Sequence, residues 1–310
     1  MLAIFFQTLP FFAIIGLGYA AARSGHFPPQ ATSYLTKFVF YFALSAMLFR
    51  FSANLSFSDI FSWRFIIAYL WATAFVYGIA TAVSFLSGKP VAEAAIEAQC
   101  AVIGNVGFLG IPMLVLLLGP QAIGPVMMVL AMDLIVFGSL IVILITGSRD
   151  GQISLRIFRT VGLGLIKNPM IVAISLGLLW SAFEIPLPAP LLDFVSILGA
   201  AATPCALFAV GASLASKSAE RMGTAIWLSF AKLVLHPAFV AFSALLLFPV
   251  DRYQAGVMIA AAALPVAGNI FILASHYGVA PQRVSASILI STAFSIVTVS
   301  AIIAWIATLP

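Results

Sequence analysis

Residues 104–112 read Gly104-Asn105-Val106-Gly107-Phe108-Leu109-Gly110-Ile111-Pro112. They lie inside the apolar run 93–118, and roughly 20 apolar residues are enough for a helix to cross the hydrocarbon of a bilayer. Three glycines at every third position weaken that helix by roughly 1 kcal/mol each relative to alanine. Pro112 removes a backbone donor and clashes with the carbonyl of Phe108. A second apolar run, 253–277, carries Leu264-Pro265-Val266-Ala267-Gly268-Asn269, and there Pro265 strips the partner from the carbonyl of Ala261. Both helices are expected to unwind at mid-depth. Backbone freed at that depth is tolerated only where it is buried in protein or lines a cavity.

The composition requires lipid as the solvent. The 310 residues hold 14 basic and 9 acidic side chains, 7% charged against 63% apolar. A soluble domain carries about 25% charged residues. A soluble enzyme, a disordered chain and a nucleic-acid binder are excluded. The net charge of +5 has a plainer origin in basic cytoplasmic loops. Cys100 and Cys205 sit in apolar runs and read as core thiols, neither a disulfide framework nor a metal site. No Lys or Arg precedes Arg23, so no cleaved signal peptide is expected.

The apolar runs give ten spans, at about 3–22, 32–53, 60–87, 93–118, 121–146, 165–185, 188–215, 222–248, 253–277 and 284–308. Runs such as Met127 to Ile145 lack the period-two alternation of a barrel strand, so the expected fold is an all-α membrane protein. The loops after odd-numbered spans hold Arg23, Lys89, Arg149, Arg156, Arg159, Lys167, Lys217, Arg221 and Arg283; the other side holds Arg50, Arg64 and Arg252. That bias puts the odd loops in the cytoplasm and both termini outside. The longest loop, about 147–164, reads as a basic topology anchor, with lipid contact the weaker reading.

Sliding the chain on itself by 164 residues lays span 1 on span 6 and so on to span 5 on span 10, and superposes Val102, Gly104 and Asn105 on Val266, Gly268 and Asn269. Five spans per half invert the second half relative to the first. The chain therefore divides into repeats at 1–150 and 165–310. Inverted repeats whose corresponding helices are interrupted are the plan of secondary transporters, with the site where the breaks meet. Half-helix N-termini favour a carboxylate, and Asn105 and Asn269 add donors and acceptors without a charge in lipid. The candidate binding residues are Gly104, Asn105, Gly107, Phe108, Gly268, Asn269 and Ile270, with Pro112 and Pro265 at the crossings. The bland alternative is that Gly and Pro are simply common in membrane helices; two matched breaks weigh against it. Phe108, Leu109, Ile270 and Phe271 suit an amphipathic acid or mere packing.

Intramembrane ionisable groups are functional by default. Asp133, at mid-depth, suits a proton, Na⁺ or a cationic partner; its structural alternative is a helix end or Ser139. Lys232 either snorkels to the cytoplasmic side, pairs with Asp133, or draws an anion into the pathway. Lys37 is expected to snorkel. Glu93 and Glu97 suit the positive end of a helix, and Glu97 could also face the inner vestibule. His236 reads as packed and His276 as interfacial. No His, Cys and acid cluster has metal-ligand spacing. Gly16-Leu17-Gly18-Tyr19-Ala20-Ala21 mimics a dinucleotide fingerprint, but no strand precedes it; close glycines there favour helix packing.

Asn105 to Pro112, the run Lys232-Leu233-Val234-Leu235-His236-Pro237, and Leu264 to Gly278 resemble the auxin efflux carrier family, whose members include plant auxin carriers and bacterial proteins, some named malonate carriers. The resemblance spans the chain. It implies a carrier of a small organic anion in the bacterial inner (plasma) membrane, with no cofactor. It implies a dimerising scaffold of spans 1, 2, 6 and 7 (1–55 and 165–218) and a transport part of spans 3–5 and 8–10 (56–147 and 222–310) that slides like an elevator. Asn105, Asn269, Pro112 and Pro265 match the family's crossing residues. The chain lacks the proline often found near Ser45, although Pro204 is present at the equivalent place. Its short central loop argues against plant-style regulation by kinases. Two readings compete. A sodium-coupled bile-acid-type symporter or a cation/proton antiporter shares the plan and would take Na⁺ or H⁺. An intramembrane enzyme or receptor would need a nucleophile and base or a metal, and neither HExxH nor a Ser-His-Asp set is present.

Overall fold

Thirteen helices are found among the described residues of the computed structural model, which are 2–54, 62–150, 155–215 and 222–308, with side chains over 6–54, 62–149, 159–215 and 222–308. Lys217, Arg221 and the side chain of Arg156, used in the loop tally, lie outside them, as do the expected start of the third span and the boundaries near 55 and 218. In chain order the helices are α1 Leu2–Arg23, α2 Pro29–Ala53, α3 Trp63–Leu86, α4 Val91–Val102, α5 Val106–Leu118, α6 Pro120–Arg149 and α7 Leu155–Lys167. They continue with α8 Pro169–Ala182, α9 Ala189–Leu214, α10 Met222–Leu247, α11 Arg252–Ala262, α12 Gly268–Tyr277 and α13 Pro281–Ile306. No strand is present among these residues, and one isolated antiparallel bridge joins Gly104 to Val266.

Six helices, α2, α3, α6, α9, α10 and α13, are long and apolar enough to cross a membrane. A seventh is added if the end of α7 and all of α8, bent by 70°, count as one span. The bend has a local cause. Asn168 caps α8 by accepting from Met170 N at 3.0 Å, and Pro169 opens the helix, where a proline is tolerated. The sequence reading of 147–164 as a loop is corrected here: α6 runs into it and α7 occupies Leu155–Lys167. The sixth span, expected from 165, instead begins afresh at Pro169. A search for 20-residue apolar runs passes over a short helix that is polar on one side.

Two sets of helices pack among themselves. In the first, α1 lies along α9, and α2 packs on α8 and α9. The approach is backbone to backbone: a Cβ at Gly18 would strike the carbonyl of Phe208, and one at Gly211 that of Ile15. Gly177 likewise sits against the backbone of Phe49 and Ala53. Small residues replace hydrophobic drive as the basis of helix association in lipid. Gly18 thus explains the false dinucleotide pattern, whereas nothing lies near Gly16. In the second set α3 packs on α4 and α10, α10 on α11 and α13, and α4 on α6.

Lys89 and Arg283 meet on one acid of the second set. Glu97, 1% exposed, accepts from Lys89 Nζ at 2.8 Å, Arg283 at 2.8 Å and Ser84 Oγ at 2.5 Å, and Glu93 pairs with Arg283 at 2.6 Å. Arg149 donates to the carbonyl of Tyr277, the last residue of α12. Glu97 therefore does not face a vestibule. It is the buried centre of an ion cluster that ties α3, α4 and α13 together.

Candidate transport site

Four helix ends meet where the extended segments between α4 and α5 and between α11 and α12 run antiparallel. Asn105 N donates to Pro265 O at 2.8 Å, and Ala267 N donates to Ile103 O at 3.1 Å, on either side of the Gly104–Val266 bridge. The C-terminal ends of α4 and α11 and the N-terminal ends of α5 and α12 thus come together. Each end carries unsatisfied backbone groups and a fraction of the helix dipole.

The positions of the breaks follow from the backbone. Ile103 is extended, and Asn105 (φ −76, ψ 55) is the centre of an inverse γ-turn closed by Val106 N to Gly104 O at 2.8 Å. The unwinding expected over Gly104 to Pro112 is confined to the upstream end of that stretch, at residues 103–105. Beyond it the chain regains helix through a π turn at Val106–Gly110. Asn105 O accepts from Leu109 N at 3.1 Å and Gly110 N at 2.9 Å, and Pro112 falls in the first turn of the α-helical part, directly after the π turn. On the other side α11 ends at Ala262, Pro265 lies within the gap, and Ala267 is extended. The amide of Val266 is satisfied by Ser291 Oγ of α13 at 3.1 Å.

The two asparagines differ. Asn105 is 6% exposed, and its carboxamide has no hydrogen-bond partner among the described residues. Asn269, like Gly268, is exposed on the first turn of α12, whereas Ile270 is buried. Gly110 packs against Leu264, and a Cβ at Gly107 would meet Met170 of α8 at 2.8 Å, so Gly107 faces the first helix set. Phe108 is half-buried.

Lys232 does not snorkel. It is 0% exposed, in a π turn of α10 spanning Ala231–Leu235, and its Nζ donates to the carbonyl of Ala262, the last residue of α11. Nζ also lies 3.3 Å from His236 Nδ1, and His236 Nε2 is 3.0 Å from Thr73 Oγ1. Asp133 opens another π turn, Asp133–Phe137. Its Oδ1 accepts from Tyr69 OH at 2.7 Å, not from Ser139, and its Oδ2 has no partner among the described residues. Lys232 is within Coulombic reach of Asp133 but forms no ion pair with it. π turns inside α-helices recur at functional sites; of the five among the described residues, one opens α5 at the crossing and two carry Asp133 and Lys232.

Residues 3–303 match the family described as membrane transport protein, the auxin efflux carriers. The chain belongs to this family. A protein of Rhizobium meliloti (strain 1021) named "Putative malonate transporter" is 30% identical over 303 residues, which cover 96% of this chain and 93% of that relative. This auxin efflux carrier family member is thus a membrane transport protein and not an enzyme.

The sequence reading of the carrier missed Tyr69, Thr73, Gln99 and Ser291. Tyr69, Thr73 and Tyr77 are all buried on one face of α3, and their four-residue spacing along an apolar helix is a signal that could have found them. Gln99, one turn before the first break, leaves Oε1 without a partner among the described residues. Ser291 reads as one more hydroxyl in a membrane helix and betrays nothing of its contact with Val266.

Proposed function

We propose that this protein is a secondary carrier of a small organic anion, a carboxylate of the malonate or auxin type, bound where the two broken helices cross. The observation that carries the reading is the main-chain pairing of Asn105 with Pro265. It brings the N-terminal ends of α5 and α12 to one place at which a carboxylate is favoured. Asn105, with its unpartnered carboxamide, is the central ligand; Asn269, Gly104, Gly107, Gly268, Phe108 and Ile270 complete the candidate set. The name of the Rhizobium meliloti relative favours a dicarboxylate.

The architecture proposed with it is ten spans in two inverted five-helix repeats. In support, α4 with α5 and α11 with α12 are each too short alone to cross roughly 30 Å of hydrocarbon and long enough as pairs. The facing residues Ile103 and Ala267 are also 164 residues apart, the offset of the sequence repeat. The first helix set (α1, α2, α8, α9) is proposed as the dimerising scaffold and the second as the part that slides in an elevator motion; the denser packing within each set than between them supports this. The proposed setting is the bacterial inner membrane with both termini outside.

Thermal melting of the purified protein with malonate, other mono- and dicarboxylates and indole-3-acetate tests the reading, because a ligand that binds only the folded state raises its stability. Stabilisation by a carboxylate, lost in Asn105→Ala, is expected. No stabilisation by any of these acids, or equal stabilisation in Asn105→Ala, would refute the substrate class or the site respectively.

A further inference from the structure

We propose that the Lys232 ammonium is a tethered cation, standing at the crossing where a free alkali-metal ion would otherwise stand, so that the anion is bound and carried without Na⁺. The inference rests on the carboxylate reading above and deepens it by assigning the positive charge of the site.

A fully buried ammonium costs several kcal/mol of desolvation and persists in a membrane helix only where its charge is used or matched. Its most direct match would be Asp133, the acid within its Coulombic reach. The geometry does not use that match as an ion pair. Asp133 spends Oδ1 on Tyr69, and Lys232 turns its Nζ to the carbonyl of Ala262. That carbonyl ends α11 at the break, where the helix dipole is negative and cations are favoured. Its ordinary helical donor, the amide of Val266, is bound to Ser291 instead. The ammonium therefore fills a seat made of orphaned backbone oxygen, the kind of ligand by which unwound helices hold Na⁺ in coupled carriers.

The seat is built around the side chain. Cε of Lys232 lies 3.3 Å from where a Cβ would stand on Gly104, so any larger residue at 104 would crowd it. His236, held by Thr73, takes the other side of Nζ at 3.3 Å. Gly104 immediately precedes Asn105, so the charge sits beside the proposed anion ligand. Asp133 serves as the distant counter-charge that keeps the empty site close to neutral. An anion arriving beside Asn105 then meets a positive charge that the protein itself supplies.

The test uses the full protein in sealed vesicles, with radiolabelled malonate as probe. Wild-type flux is expected to persist when all Na⁺ is replaced by N-methylglucamine. A loss of about tenfold or more, equivalent to ~1.4 kcal/mol, would overturn the proposal. Lys232→Ala is expected to lose about tenfold or more of the flux and to recover part of it when Na⁺ or ethylammonium is supplied, since a small free cation can occupy the vacated seat. Full flux in folded Lys232→Ala, or low flux that neither cation raises, would overturn it, because a merely structural lysine predicts no rescue. If Lys232→Ala fails to fold, the wild-type cation replacement decides alone. Malonate stabilisation that requires Na⁺ would sink the tethered cation and leave the carboxylate reading standing. Absence of stabilisation by any carboxylate, in any salt, would remove both.

Discussion

The backbone amide of Asn105 donates to the carbonyl of Pro265 across 2.8 Å, joining two residues 160 positions apart in the chain. Each break thereby supplies what the other lacks. Asn105 N has lost its helical acceptor, and the carbonyl of Pro265 has no helical donor. A buried unpaired backbone group costs several kcal/mol in lipid, so neither broken helix is stable at that depth without the other.

The carboxamide of Asn105 is expected to carry the larger share of anion binding. Hydrogen bonds to a charged group contribute ~1.5–3 kcal/mol, so Asn105→Ala should weaken carboxylate affinity by about ten- to a hundredfold. Asn269→Ala, at an exposed position, should lose less. Ligand-dependent melting of the two variants side by side measures this, and equal losses would contradict the difference in burial.

Backbone contact at α1 and α9 predicts a sharp size limit. Gly211→Val and Gly18→Val push a side chain into a carbonyl of the facing helix and should destabilise by more than ~2 kcal/mol, the scale of overpacking in a filled interior. Gly16→Ala, with open space around it, should be near neutral. Melting temperatures in one detergent provide the comparison.

Losses within the ion cluster should not add. Breaking a buried pair costs ~3–5 kcal/mol because a charge is left without compensation. Glu97→Gln leaves both Lys89 and Arg283 without their shared acceptor. Arg283→Met in the Glu97→Gln background should therefore cost less than Arg283→Met alone. A double-mutant cycle on stability reads the coupling; simple additivity would mean that the cluster is not coupled as a unit.

Tyr69 should matter through Asp133. Tyr69→Phe removes the donor to Oδ1 and leaves both oxygens of a buried carboxyl without partners, a cost of ~1–3 kcal/mol. The same substitution in an Asp133→Leu background should cost markedly less. Stability measured by chemical or thermal unfolding of the four proteins settles whether the two side chains act together.

The all-helical membrane class was legible in the composition, because too few charges exist to clothe a soluble surface. So was the presence of two breaks, since Gly104, Gly107, Gly110, Pro112 and Pro265 announce weak helix. Their exact extent was not. The chain opens only at Ile103 to Asn105 and then carries Gly107 and Gly110 in a π turn that leads into the helix holding Pro112. α7 was read as loop, since its apolar residues are too few for a span.

What the amino-acid sequence determined by itself is what depends on local chemistry: which segments prefer lipid, where helices weaken, and where uncharged polar groups interrupt an apolar run. The tertiary structure alone decided which groups meet. It set Asn105 against Pro265, buried Lys232 on the carbonyl of Ala262, gave Asp133 to Tyr69, and made Glu97 the centre of an ion cluster. A lysine or a glutamate in a membrane helix reads the same whether it snorkels, pairs or caps. Its role is fixed by which orphaned partner a distant segment brings within about 3 Å, and that is a property of the packed fold.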